Sequence, residues 1–109
     1  GMHTERERHL RERLRIRKSK HGDDSSNVGL AHLDIGVVLM MQKRRSEALE
    51  SFKEALHITR KAHGEEGKTL PVTLRNMAVV CREMGMSSEA LKSLEEALHV
   101  TQKRHGDEH

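Results

Sequence analysis

The sequence predicts an all-α fold, a solenoid of antiparallel helix pairs, and two observations carry this prediction. The first is a repeat: residues 47–65 read EALESFKEALHITRKAHGE, and 42 positions later the chain reads EALKSLEEALHVTQKRHGD, with twelve of nineteen positions identical. Periods of roughly 20 to 50 residues are typical of repeat proteins, whose units bury apolar faces against their neighbours. The second is that apolar residues within the repeat recur at three- and four-residue steps, which indicates amphipathic helices.

The composition agrees with thin helical layers rather than one large core. Hydrophobic and charged residues each make up 34% of the chain, and Phe52 is the only aromatic residue. The single cysteine, Cys81, excludes an internal disulfide, and with no apolar secretory segment at the start it predicts an intracellular, cytoplasmic location. The longest apolar run, Val37 to Met41, is too short to cross a bilayer.

The first predicted element is a helix from Glu5 to Lys20, which aligns with the second helix of a preceding, partial repeat assigned to residues 1–22. His21-Gly22 is expected to end it, because glycine readily adopts the left-handed conformation that terminates helices. Arg6 and Arg13 stand where later copies have alanine. We therefore expect this helix to be an end, with no helix packed on that side.

Residues 23–64 form the first complete repeat. Its first helix is predicted from Val28 to Gln42, capped by Ser26 or Asn27, and Gln42 to Arg45 form the turn. Ser46 is expected to cap the second helix, which ends at His63-Gly64. The buried stripe of that second helix consists of Ala48, Leu49, Phe52, Ala55 and Leu56.

Residues 65–109 form the second complete repeat on the same plan. Pro71 to Met84 is the first helix, Gly85 to Ser87 the turn, Ser88 the cap, and Glu89 to Arg104 the second helix before His105-Gly106. The chain then corresponds to a slice of a longer array. We expect such a slice to self-associate through exposed repeat ends, carrying Leu10, Leu14, Leu94 and Leu98.

The second helices share a pattern of small and large residues, Ala48-Phe52-Ala55 and Ala90-Leu94-Ala97, and the first helices carry Ile35-Gly36 and Met77-Ala78. This pattern resembles the tetratricopeptide repeat. The 42-residue unit, longer than the usual unit of about 34, and the segment TLRNMA at 73–78 resemble the kinesin light chain type of that repeat. The resemblance implies a non-enzymatic scaffold for protein–protein interaction, either binding a peptide or serving as a cytoplasmic cargo adaptor.

The same resemblance implies that the first helices line a concave peptide-binding face. The residues expected there are Leu33, Val37, Met40, Arg75, Asn76, Val79 and Arg82. Two arginines and an amide beside apolar residues suit an acidic peptide with an apolar anchor. The alternative is that the arginines are ordinary solvated charges and that the apolar residues pack against a neighbouring unit. A second hypothesis is self-association without a separate peptide ligand.

Other chemistries find little support in the sequence. Eight basic residues lie between Arg6 and Lys20, but no aromatic residue accompanies them to stack on bases, so a solvated helix face is the better interpretation than a nucleic-acid or membrane site. His57 and His63 are six positions apart, not the four that a helical zinc site uses. Cys81 has no base near it in sequence. We therefore predict no enzymatic activity, no metal and no cofactor.

Overall fold

The computed structural model of the protein describes residues 2–21, 26–64 and 67–107, with side chains described over 4–18, 26–64 and 67–103. Every regular element in these ranges is a helix. The helices are α1 (Met2–His21), α2 (Ser26–Met41), α3 (Arg45–His63), α4 (Leu70–Glu83) and α5 (Ser87–Asp107). The all-α fold class predicted from the repeat is therefore confirmed.

Each helix packs on the next one along the chain, and α2 also contacts α4. The pairs α2–α3 and α4–α5 are two helical hairpins joined by short turns, and α1 packs on α2 as an additional second helix. The larger core joins α2, α3 and α4 and contains Ile35, Leu39, Phe52 and Ile58, each almost fully buried. The hairpins thus share one apolar layer, as predicted for repeating units that lack private cores.

The closest approach within the first hairpin is made by Gly36 of α2 and Phe52 of α3. A β-carbon added to Gly36 would lie 2.6 Å from Cε1 of the Phe52 ring, far inside normal contact distance. In the second hairpin the equivalent positions are Ala78 and Leu94. The glycine–phenylalanine pair of the first unit thus corresponds in sequence to an alanine–leucine pair in the second.

The turn between α2 and α3 connects the hairpin to the helices on both sides. Lys43 adopts a left-handed backbone conformation (φ 65°), as does Gly85 at the equivalent position of the α4–α5 turn (φ 78°). Arg44 pairs with Glu7 of α1, with 2.5 Å between Arg44 Nη1 and Glu7 Oε2. Arg45 Nε and Lys43 Nζ lie 3.5 and 4.0 Å from the Glu83 carboxylate of α4. Three consecutive basic residues thereby tie α1 and α4 to the same turn.

The prediction that no helix packs on the Arg6 and Arg13 side of α1 agrees with the exposure of these side chains. Arg6 and Arg13 are exposed, whereas Ala48 and Ala55, at the equivalent positions of α3, are buried under α2. The expectation that Leu10 and Leu14 form part of an exposed end is wrong. Leu14 is buried and Leu10 is partly buried, because α1 packs them on the α2 core.

Several predicted helix ends differ from the structure. Ser26 and Asn27 lie inside α2, Ser46 lies inside α3, and Ser88 lies inside α5. Arg44 occupies the position before α3 without a side-chain cap, and its guanidinium pairs instead with Glu47 in the first turn. Gly64, with positive φ, does end α3. Gly106 does not end α5, which runs to Asp107, and Gly22 lies outside the described residues.

Candidate functional site

The first helices α2 and α4 carry several exposed apolar side chains, which we call the apolar strip. Leu30 and Met41 of α2 and Val72 and Val79 of α4 are exposed, and Val37 of α2 is half-buried. Leu30 and Val72 are repeat equivalents, as are Val37 and Val79. Since α2 and α4 are in contact, these equivalent positions lie on the same side of the helical layer.

Basic side chains border the apolar strip on both sides. On the α1 side, Asp34 of α2 lies near Arg17 and Arg13; burial raises the pKa of Asp34, and the two arginine charges oppose that shift. On the other side, Arg75 and Arg82 of α4 are exposed and two turns apart. The surface therefore offers apolar contacts between two sources of positive charge, with the Asp34 carboxylate on the α1 side.

The structure separates the residues predicted for the peptide site into three groups. Val79, Arg75 and Arg82 are exposed, and Val37, Met40 and Asn76 are half-buried. Leu33 is only 7% exposed and belongs to the core, so it is not available to a ligand. Position in the array explains this difference. Leu33 and Arg75 are repeat equivalents, but Leu33 lies in a core cluster that includes residues of α3 and α4, whereas Arg75 is exposed on α4.

The last helix presents a second apolar surface, which we call the end face. Its leucines Leu91, Leu94 and Leu98 are 58%, 48% and 58% exposed. Leu49 and Phe52, the equivalents of Leu91 and Leu94 in α3, are 5% and 0% exposed and belong to a core cluster that includes Met77, Val80 and Cys81 of α4. Among the sequence predictions, the exposure of Leu94 and Leu98 is thus confirmed.

A third concavity lies between α3 and α5, on the side of the second helices. This groove of about 640 Å³ has Leu56, Leu74 and Met77 in its lining. An ion pair spans it, with 2.6 Å between Arg60 Nη2 and Glu96 Oε2. Sequence analysis did not predict this groove, since its residues come from three helices and follow no motif. Its mixed charges favour no single class of ligand.

The basic helix α1 uses part of its charge internally. Arg11 pairs with Glu7 and Arg15 with Glu12 on the same helix, and Arg17 donates a hydrogen bond to the carbonyl of Asn27. These pairings favour the solvated-face interpretation of this segment over a nucleic-acid site.

In the described part of the chain, Cys81 is buried and no histidine belongs to a cluster that could hold a metal ion. Burial together with the nearby Glu89 carboxylate raises the pKa of the Cys81 thiol, which disfavours the reactive thiolate. Burial also shifts the pKa of His32, in this case downwards, because it disfavours the charged imidazolium. Across residues with described side chains, no three His, Cys, Asp or Glu residues are grouped to hold a metal ion. None of the helices described is long and apolar enough to cross a membrane.

Helical hairpins that share one apolar layer, with a 42-residue period, define a helical-repeat protein. The sequence profile of the tetratricopeptide repeat matches residues 27–103, and the chain belongs to this family. Tetratricopeptide repeats generally mediate protein–protein interactions, so the class of partner is a protein. A search among curated proteins found no matching relative.

Proposed function

We propose that this protein is a scaffold module that holds an acidic peptide with apolar anchor residues along the apolar strip of α2 and α4. The observation that carries the proposal is the strip itself, in which exposed Leu30, Met41, Val72 and Val79 lie between basic borders. Exposed apolar rows rimmed by polar residues mark interaction sites in soluble proteins. A peptide that buries its anchors on the strip would place carboxylates within reach of the arginines on either side.

The two repeats would contribute different contacts to such a peptide. The α2 part of the strip contains methionine and leucine, which adapt to anchors of varied shape. The α4 part contains valines and the half-buried Asn76, whose amide can both donate to and accept from a peptide backbone. Leu33 is excluded from this set because it lies in the core.

The 42-residue period and the segment at 73–78 support a kinesin light chain-like subtype, whose members are peptide-binding or cargo-adaptor modules. An intracellular, cytoplasmic location is part of the same proposal. The absence of catalytic activity belongs to it as well, and rests on the scaffold role of the family and the buried state of Cys81.

The proposal is tested by fluorescence anisotropy with a labelled peptide that carries leucine between pairs of glutamates, together with its lysine counterpart. We expect the acidic peptide to bind and the lysine peptide not to bind. Leu30→Ser and Val79→Ser should each weaken binding by about fivefold or more, the loss typical of truncating an apolar anchor. Higher salt should also weaken binding, since arginines border the strip.

Leu91→Ser is the matched control, because Leu91 is an exposed leucine on the end face and not on the strip. We expect it to leave peptide affinity unchanged. Equal affinity in the wild type, Leu30→Ser and Val79→Ser would remove the strip as the binding surface. Equal binding of the acidic and lysine peptides would remove the role assigned to the arginines.

A further inference from the structure

The structure shows what kind of surface covers the leucine stripe inside the array. In α3, Leu49 and Phe52 are buried in a core cluster that they share with residues of α2 and α4. In α5, Leu91 and Leu94 occupy the same repeat positions, and Leu98 corresponds to the half-buried Leu56, but all three leucines remain about half exposed. By this internal comparison, the end face has the shape and apolar character of a surface that accepts another helix.

The charges beside the end face differ from those inside the array. Leu33 of α2 lies in the core, but its equivalent on α4 is Arg75, which lines a shallow groove with Leu94, Ala97, Leu98 and Thr101. Glu95 lines the groove between α3 and α5, on the other flank of the stripe. The leucine stripe of the end face is therefore bordered by a cation on the α4 side and by an anion on the opposite side.

A helix that covers this face must present an apolar stripe and a carboxylate directed at Arg75. The first helices of this chain carry one acidic residue each, and both are already used within their own copy: Asp34 lies near Arg17 and Arg13, and Glu83 pairs with Lys43 and Arg45. Helix α5 meets the requirement, with three exposed leucines flanked by Glu95. The end face of one copy thus offers what the end face of another copy needs.

We propose that two copies of this chain pair through their end faces, with α5 parallel to α5 about a two-fold axis and Glu95 of each copy against Arg75 of the other. Leu91, Leu94 and Leu98 are spaced by three and four residues, the spacing at which parallel helices form a continuous apolar seam. A two-fold axis along the seam brings opposite flanks together, so both ion pairs form. Antiparallel pairing would bring like charges together, which is unfavourable.

Sedimentation equilibrium over a concentration series tests the pairing directly. A seam of three leucines per copy is small and therefore weak, so the series should extend to about 1 mM. We expect the wild-type mass to rise from one copy to two. Arg75→Glu and Glu95→Arg should each weaken the association by about tenfold or more, because each creates two repulsive pairs per dimer. Arg75, Glu95 and Leu94, the residues changed in these tests, are exposed. Circular dichroism verifies that the variants fold.

Mixing the two charge variants provides the decisive measurement. In a mixed dimer, the glutamate introduced by Arg75→Glu in one copy would face the arginine introduced by Glu95→Arg in the other. The second contact would join the native Glu95 to the native Arg75, so both contacts are attractive again and association should return. Lys53→Glu is the control, since Lys53 is exposed on α3 and lies away from the end face of α5. It should associate like the wild type, whereas Leu94→Ser should not associate.

Three outcomes would overturn the proposal: a single-copy mass over the whole series, dimers that both charge variants leave intact, or variants that stay monomeric on mixing. Arg75 borders both surfaces, so Glu95→Arg and Leu94→Ser are the variants that test pairing separately from peptide binding to the apolar strip, which uses Leu30 and Val79. Loss of pairing with retained binding of the acidic peptide would reject only the end-face proposal. The reverse result would reject only the proposed peptide site.

Discussion

At the scale of single residues, the contact between Gly36 and Phe52 sets how closely the helices of the first hairpin approach. A β-carbon at Gly36 would overlap the aromatic ring, and Phe52 is fully buried and has no space to withdraw into. Glycine inside a helix normally costs about 0.5–1 kcal/mol relative to alanine. At this position the packing requirement outweighs that cost.

We therefore predict that Gly36→Ala destabilises the protein, although alanine is the better helix former. The free energy of unfolding should fall by about 1–3 kcal/mol, the usual range for overpacking a core. Urea unfolding followed by circular dichroism measures this loss.

The second repeat supplies a compensating control, because its equivalent residues are Ala78 and Leu94. Combining Gly36→Ala with Phe52→Leu reproduces that pair in the first hairpin. The double variant should be more stable than the sum of the two single effects implies, since the overlap no longer exists. Strict additivity would show that the contact with the ring is not the cause.

Single residues also show which features a repeat pattern predicts and which it does not. The period and the small residues at Gly36, Ala48 and Ala55 predicted the hairpins and their close packing correctly. Leu33 and Arg75 occupy equivalent positions, yet one is in the core and the other at the surface. A repeat pattern assigns the same role to both, because exposure here depends on which neighbouring helix is present and not on the local pattern.

At the scale of elements, α1 is held to the rest of the molecule by a mostly buried carboxylate as well as by leucines. Glu7 stands where α3 has Leu49, and it pairs with Arg11 and with Arg44 of the α2–α3 turn. Burial raises the pKa of Glu7, but hydrogen bonds from Arg11 and Arg44 and their charges outweigh it, so the net pKa lies below the ordinary value of 4.5. The carboxylate therefore contributes stability in its charged form.

This shift has a definite sign with pH. The contribution of Glu7 is fully present above its ordinary pKa and is lost as the pH falls through the lower pKa of the folded state. At about pH 7, Glu7→Gln should be less stable than the wild type by about 1 kcal/mol, the usual worth of a charge-assisted bond to a partly exposed partner. The difference should shrink on acidification towards about pH 3. Urea unfolding at each pH measures it.

Glu12→Gln is the matched control on the same helix, because Glu12 pairs only with Arg15 and both side chains are exposed. It should change stability little at either pH. A Glu7→Gln defect that persists unchanged in acid would show that lost packing, and not the ion pairs, causes it.

Sequence analysis predicted the end character of α1 from Arg6 and Arg13, but not how the helix is attached. Its leucines were expected at an exposed end, and they instead pack on α2. The helix caps were also misassigned, since serine was preferred at the starts of α3 and α5. In α3 the first turn is instead stabilised by the Arg44–Glu47 pair, which brings together a residue outside the helix and one inside it.

At the scale of the whole molecule, stability should be distributed unevenly along the array. Helix α3 is covered by α2 on one side and α4 on the other, whereas α5 packs mainly on α4. In repeat proteins, stability is approximately the sum of each unit and its contacts with neighbours. The two second helices should therefore open with different free energies despite their similar sequences.

Hydrogen exchange measured by mass spectrometry tests this difference with an internal control. Residues 47–63 and 89–105 are near copies, so their intrinsic exchange rates are similar. In dilute protein, where the proposed pairing dissociates, α5 should exchange about tenfold faster than α3 or more, as expected for an element near the low end of local stability. Equal protection of the two helices would contradict a one-dimensional distribution of stability.

The chemical difference between the two outer surfaces also limits how large an assembly can grow. Stacking the leucines of one molecule on the outside of α1 in another would bring Arg6 and Arg13 against a face bordered by Arg75 on one side and Glu95 on the other, so the desolvated arginine charges would be only partly balanced, which is costly. Head-to-tail addition, the route to open filaments, is thereby disfavoured. Any association through the leucines should accordingly close on itself, leaving a small complex of fixed size in place of a fibre.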